Sequence, residues 1–226
     1  MVIIIYKNMK YIKIYEGFNP SKRSDIEFIC KKHKIDNWTI NSDGTVDVDE
    51  GVSLDKRFIK SSVKFRNVNG TFFCNSMGLK SLEGFAPEYC NNFNCQANDL
   101  ESLEFGPKSI GHYYHAGLNK NLHSLKGFPT SIGKNGCTFT LSSSWLNGKN
   151  PICVLCKMFL NESKDGRNSG EFNISYDDLP RIELFGEYDI IRRDGDKFTI
   201  ILDRLNDFLS IIGKLEVNDV PGYNWI

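Results

Sequence analysis

Hydrophobic and polar residues in the middle of the chain follow a pattern that returns about every 21 residues. Three segments read L-x-S-L-[EK] and then run into a proline. They begin at Leu79, Leu100 and Leu122. Each is preceded by an aromatic residue, one spacer, and a small or polar residue: Phe72-x-Cys74, Phe93-x-Cys95 and Tyr113-x-His115. A period of two predicts a strand whose first and third residues share one face. We therefore expect repeated units, each with a short strand and a return segment.

The spacing and the leucine pattern match the leucine-rich-repeat signature. The best copy spans residues 93–100, with Asn98 where a side-chain amide can satisfy backbone groups at the turn. Weaker copies start at Val52 and Phe139, and the third copy carries two extra residues around Leu118. One unit cannot bury its apolar edge alone, so stacked units must share a core. The predicted fold class is α+β: a short leucine-rich-repeat parallel β-solenoid of about five units over residues 51–150.

The flanking segments differ from the repeats and are predicted to be caps, as the ends of a stack require. Residues 1–50 predict an N-terminal α/β cap with a strand at 11–15, a helix at 25–34 capped by Ser24, and a hairpin at 38–48. Residues 151–226 predict a C-terminal cap that contains a helix at 204–213. The polar stretch 161–170 predicts a loop. The expected domains are therefore 1–50, 51–150 and 151–226.

A resemblance extends over nearly the whole chain from about residue 9. It rests on INSDGTVDVD at residues 40–49, on the L-x-S-L-[EK]-G repeats, and on the tail segments IELFGEYDII at 182–191 and ILDRLNDFL at 201–209. These segments resemble a group of short leucine-rich-repeat proteins encoded by tailed bacteriophages. That group has no assigned activity. The resemblance implies a phage gene product with an interaction role and no catalysis.

Composition narrows the function classes. The 226 residues carry 28 Lys+Arg and 28 Asp+Glu, for a net charge of zero. A protein that binds nucleic acid without sequence preference needs a basic surface, so this class is not expected. No apolar run approaches the roughly 20 residues of a membrane span, and residues 2–5 are too short for a secretory core of about 7–15 residues. We expect a cytoplasmic protein, in the host cytoplasm if phage-encoded, with neither a membrane nor a nucleic-acid partner.

The cysteines and the missing catalytic motifs point away from an enzyme. Seven cysteines cannot all pair, which favours reduced thiols in a reducing compartment. Cys153 and Cys156 form a single C-x2-C without the second pair that a zinc site needs, so neither metal nor cofactor is expected, and whether these two ever bond stays open. His115 is expected in the core rather than in a catalytic site, because no nucleophile accompanies it. The phosphate-binding, zinc-protease and serine-hydrolase motifs are missing from the sequence.

The predicted site is the concave face of the repeats, whose only charged position is Asp55. Amides, hydroxyls and two aromatic rings suit a protein segment, whereas a phosphate backbone would need Lys and Arg. The predicted protein-binding residues are Phe73, Asn75, Asn92, Asn94, Gln96, His112 and Tyr114. Three alternatives remain open: a bare sheet without ligand, an effector segment at 171–226 targeted by the repeats, or a structural component of a virion.

Overall fold

The structure is a computed structural model and describes residues 22–58, 63–141, 151–161 and 170–226. Its helices are α1 (Arg23–Lys32), α2 (Pro151–Phe159), α3 (Leu179–Glu187) and α4 (Leu202–Ile211). Its strands are β1 (Trp38–Ile40), β2 (Val46–Val48), β3 (Val52–Ser53), β4 (Phe65–Phe73), β5 (Tyr89–Asn94), β6 (Ser109–His115), β7 (Ser131–Ile132), β8 (Cys137–Thr140), β9 (Glu171–Ile174), β10 (Ile191–Asp194), β11 (Lys197–Ile200) and β12 (Asn224–Trp225).

A mixed nine-stranded sheet dominates the described residues. Its main order is β1-β2-β4-β5-β6-β8-β9, while β3 pairs with β4 and β7 pairs with β6. The central pairs, from β2/β4 to β6/β8, are parallel. The pairs at both ends, β1/β2 and β8/β9, are antiparallel. A separate three-stranded sheet has the order β10-β11-β12.

The prediction of a regular parallel β-solenoid is wrong. The chain is α+β, but its large sheet mixes parallel and antiparallel pairs and ends at β1 and β9 without closing over the described residues. The backbone pairing between the parallel strands is also irregular, because the register shifts within β4/β5 and within β5/β6. The sequence repeats predicted the parallel strands at the centre of the sheet. The repeats carried no information about the antiparallel strands at its two edges.

A ladder of aromatic rings forms the centre of the core. β4 contributes Phe65 and Phe72, and β5, β6 and β8 contribute Phe93, Tyr114 and Phe139. Neighbouring centroids lie 5.4 Å apart for Phe65–Phe72, 5.8 Å for Phe72–Phe93, 5.2 Å for Phe93–Tyr114 and 5.7 Å for Tyr114–Phe139. Offset and edge-to-face pairs at such distances stabilise a core by about 0.5–1.5 kcal/mol each beyond their burial. The ladder runs across the parallel strands and holds them in register.

Two buried asparagines stabilise the turns that follow the parallel strands. Asn98 Oδ1 accepts from the backbone N–H of Met77 and Leu79, and its Nδ2 donates to the carbonyls of Cys74 and Cys95. The predicted role of Asn98 is therefore confirmed. Asn119, which the sequence alignment had not singled out, makes the same kind of contacts one unit further along.

The N-terminal elements agree in type with the prediction. α1 buries the expected Ile26, Ile29 and Cys30, although it begins at Arg23 after an N-cap at Lys22, rather than at residue 25 after Ser24. The hairpin of β1 and β2 is confirmed. The strand predicted at 11–15 lies outside the described residues, as does most of the loop predicted at 161–170.

The C-terminal elements form a second aromatic cluster. Phe159 of α2, Phe185 of α3 and Phe208 of α4 meet with ring centroids 5.1–5.4 Å apart. The predicted helix at 204–213 corresponds to α4, which buries Leu205, Phe208 and Leu209. The large sheet crosses both expected domain boundaries, since β1 and β2 precede residue 51 and β9 follows residue 150. The three-domain division stays a prediction.

Candidate functional site

The side of the large sheet opposite the aromatic ladder presents two rows of side chains, which we call the outer face. The first row is Ser53, Phe73, Asn94, His115, Thr140 and Glu171, each paired with the next across the sheet. The second row is Thr71, Asn92, Tyr113, Thr138 and Asn173. Strands in a sheet lie about 4.8 Å apart, so each row is a nearly continuous strip of side chains.

The predicted placement of Tyr114 on this face is wrong. Its side chain is 0% exposed and belongs to the core ladder, whereas Tyr113 is 48% exposed and takes the place on the outer face. His115 was expected in the core together with Tyr113, but it lies in the first row of the outer face, half-buried. The register of β6 differs by one residue from the prediction, and a shift of one residue exchanges the two faces of a strand.

The other predicted residues lie on or beside the outer face. Phe73 is 39% exposed, and Asn92 and Asn94 are half-buried within the two rows. Asn75 and Gln96 are half-buried just beyond the ends of β4 and β5. His112 is exposed but lies outside the rows, where the register of β6 shifts.

Two aromatic positions flank the amides of β5. The Tyr113 and His115 rings stack with centroids 5.9 Å apart and planes at 14°. Phe73 lies on the far side of β5, two strands from Tyr113. Asn92 lies between them, and its Nδ2 donates to Thr71 Oγ1 at 3.0 Å. Its Oδ1 is buried without a hydrogen-bond partner among the described residues.

The outer face is nearly uncharged. Glu171 at its edge is the charged residue of the two rows. Burial lowers the pKa of His115, with Glu171 partly opposing the effect, so this imidazole is neutral at pH 7. Asp55 lies near the rim, and hydrogen bonds from Arg57 lower its pKa to about 2. The arrangement offers rings, amides and hydroxyls rather than net charge.

A shallow depression of about 290 Å³ adjoins Tyr113. His112, Tyr113, Thr138 and Asn173 are among its lining residues. It extends the second row toward β9 and gives a side chain of a bound segment room beside the Tyr113 ring.

The described residues provide little chemistry of other kinds. They contain no group of three or more His, Cys, Asp or Glu that could hold a metal ion. Burial raises the pKa of Cys74 and Cys137 to about 12, which keeps these thiols protonated and unreactive. No helix in the described part of the chain is long and apolar enough to cross a membrane.

Tyr113 and His115 were missed because the third unit was aligned through Tyr113-x-His115, with two extra residues around Leu118. Asn119 follows Tyr114 by five residues, as Asn98 follows Phe93 by five. Alignment on this asparagine places Tyr114 in the core and Tyr113 outside. The sequence therefore contained the signal.

The comparisons with known proteins found no match. No family model, no curated protein and no solved structure matches the chain.

Proposed function

We propose that this chain is a non-enzymatic protein-binding module that holds a segment of another protein on its outer face. The observation that carries the proposal is the pair of exposed rings, Phe73 and Tyr113, on either side of uncharged amides. Exposed rings set in a polar surround are typical of interaction surfaces, and buried aromatic anchors supply about 2 kcal/mol or more each in such interfaces.

The chemistry of the face favours an uncharged segment. Asn92 and Asn94 contribute half-buried amides to the two rows, and amides hydrogen-bond to backbone groups without carrying a charge. A partner rich in Lys or Arg would find only Glu171 in the two rows. A nucleic acid would find no Lys or Arg there, so phosphate contacts are unsupported.

The identity of the partner rests on the sequence. Following the resemblance stated above, we propose a phage-encoded protein that acts in the host cytoplasm on a host or virion protein. A role as a structural component of virions is the alternative, and the presence of the chain in purified particles would decide for it.

An independent effector at 171–226 is less well supported than a binding module. Residues 171–174 form β9, which completes the large sheet beside β8. Gly186 of α3 packs so closely on Lys126 that an added Cβ would lie 2.9 Å from its backbone nitrogen. A deletion of this segment should therefore damage the sheet rather than leave an intact binder.

The test is affinity capture from extracts of the cells that make the protein. We expect the double variant Phe73→Ser/Tyr113→Ser to lose the partners that the wild-type chain recovers. The matched control is Phe28→Ser/Phe105→Ser, which also removes two exposed rings, 43% and 59% exposed, but not from the outer face. Equal recovery of the same partners by both double variants would overturn the proposal.

A further inference from the structure

The return segments of the three central units differ at one pair of residues. The first and third units read Gly-Phe, at 84–85 and 127–128, whereas the second reads Phe-Gly at 105–106. In the first and third units the glycine adopts a positive φ, of 76° and 86°, and the phenylalanine packs on the core. In the second unit Phe105 itself has a φ of 63°, and its ring is 59% exposed. The exchange therefore turns one ring from the core to the surface.

Packing accounts for the glycine of this pair but not for the ring. A Cβ at Gly106 would lie 3.0 Å from the Tyr114 hydroxyl oxygen and 2.9 Å from the Leu103 carbonyl oxygen, so a larger residue would force a shift. Position 105 has a different requirement, because glycine adopts a positive φ at the least cost. A bulky residue in this conformation is strained, and such strain is typical of functional positions. Phe105 is therefore a candidate contact residue.

Phe105 lines a groove of about 540 Å³ between the return segments and α3. This volume is within the range of about 300–1,000 Å³ that is typical of binding pockets. Tyr176 adds a second exposed ring, whose hydroxyl donates to the Ile132 carbonyl and is fixed by that bond. The buried side chains that form the floor include Leu125, Phe128, Pro129 and Ile182. The groove thus combines an apolar floor with two exposed rings.

The groove also carries a negative charge. Three glutamates and one lysine line it, which gives a net charge of −2: Glu104, Glu183, Glu187 and Lys126. Lys126 Nζ lies 3.0 Å from Glu104 Oε1, and this pairing raises the pKa of Lys126, with a smaller contribution from Glu187. In the described part of the chain, Glu183 and Glu187 form no ion pair. They lie one turn apart on α3, where like charges repel each other, so a cation from outside would be stabilised between them.

The groove and the outer face lie on opposite sides of the large sheet. The Phe128 ring on the groove floor packs on Tyr114 of the aromatic ladder, with centroids 5.6 Å apart. The outer face is the side of the sheet away from that ladder. A ligand in the groove therefore does not compete with one on the outer face.

We propose that this groove is a second binding site, which takes a basic protein segment that presents an arginine or lysine beside a large apolar side chain. The apolar side chain packs on the floor against Phe105, and the cation lies near Glu183 and Glu187. The exposed ring of Tyr176 adds a surface on which a cation can stack. The outer face is nearly uncharged, so the two sites select different segments.

The test selects peptides from a random dodecapeptide display library on the full wild-type chain and measures the affinities of the enriched peptides. We expect one class that is basic and contains a large apolar residue. Phe105→Gly should weaken the binding of this class by about tenfold or more, as the loss of an aromatic anchor does. The variant places glycine where the neighbouring units have it, so its thermal unfolding midpoint should match the wild type. Phe73→Ser/Tyr113→Ser should bind this class as the wild type does.

The charge is tested separately. Glu183→Gln/Glu187→Gln should weaken the basic peptides by about fivefold at low ionic strength, and the difference should shrink in high salt. The matched control is Glu83→Gln/Glu88→Gln, which removes two exposed glutamates outside the groove and should leave the affinity unchanged. Equal losses in the two double variants would show an effect of net charge alone and would overturn the proposal.

The two binding sites can fail independently. A selection that yields no peptide sensitive to Phe105→Gly, or only acidic or uncharged ones, overturns the groove proposal and leaves the outer face untouched. In the capture experiment above, a groove partner should stay with Phe73→Ser/Tyr113→Ser and be lost from the variant that carries Phe105→Ser. An outer-face partner should show the opposite pattern.

Discussion

Replacement of Asn98 by alanine should destabilise the protein more than any comparable change on the outer face. The Asn98 amide makes four hydrogen bonds of 2.9–3.1 Å to backbone groups, and a longer fifth one of 3.5 Å to the Gln96 carbonyl. Asn98 is 4% exposed, so water does not reach the backbone groups that lose their hydrogen bonds in the variant. At about 1 kcal/mol net for each bond, Asn98→Ala should lower the free energy of unfolding by about 4 kcal/mol. This is a large fraction of the roughly 5–15 kcal/mol typical of a folded domain.

The matched control is Asn94→Ala, which removes the same side chain four positions earlier. Asn94 Oδ1 accepts one bond, from the backbone N–H of Gln96 at 3.2 Å, and the residue is only half-buried. We expect a loss below about 1 kcal/mol. Urea unfolding followed by circular dichroism measures both, with the midpoints compared at an unchanged slope. Similar losses for the two variants would refute the reasoning that the Asn98 amide stabilises the turns.

Three further predictions concern the core, the pH dependence and the close approach of two strands. Tyr114→Phe should change the free energy of unfolding by less than about 1 kcal/mol, because the one polar neighbour of the buried hydroxyl among the described residues is the Cys95 thiol, a weak hydrogen-bonding group; a loss above about 2 kcal/mol in urea unfolding would contradict this. The lowered pKa of His115 means that the unfolded chain binds a proton more readily, so stability should fall as the pH drops below 6.5. His115→Gln should flatten that slope in unfolding measured across pH, and an unchanged slope would show that other groups cause it. Gly133→Ala places a Cβ 2.0 Å from the Gly111 carbonyl oxygen and should cost about 3 kcal/mol, whereas Ser131→Ala at an exposed neighbouring position should cost little; thermal unfolding separates the two, and equal midpoints would contradict the close approach.

The central parallel strands could be predicted because each unit repeats the same alternation. Phe72, Phe93 and Phe139 occupy the core positions that the period of two assigned to them. The third unit failed for a local reason. Asn98 precedes its leucine by two residues, but Asn119 precedes Leu122 by three. The third unit therefore has one extra residue, and the alignment through Tyr113-x-His115 assumed two. That alignment moved β6 by one residue and placed Tyr114 on the wrong face.

The borders of the sheet could not be predicted from the repeat. A repeat specifies how similar units pair with each other, and it carries no information about dissimilar neighbours. β9 was assigned to a cap, yet it pairs antiparallel with β8 and extends the outer face with Asn173 and Glu171. The sequence therefore predicted the two amides of the candidate site, Asn92 and Asn94. It missed the side chains that β6 and β9 contribute to the site.

Contact between the outer face and a partner protein is the central claim. A photoreactive phenylalanine analogue placed at position 73 or 113 tests it directly inside cells, with position 28 on α1 as the control, since Phe28 is comparably exposed at 43%. We predict that positions 73 and 113 crosslink to the same partner protein and that position 28 does not. Crosslinks of equal yield from position 28, or different partners from positions 73 and 113, would contradict the account.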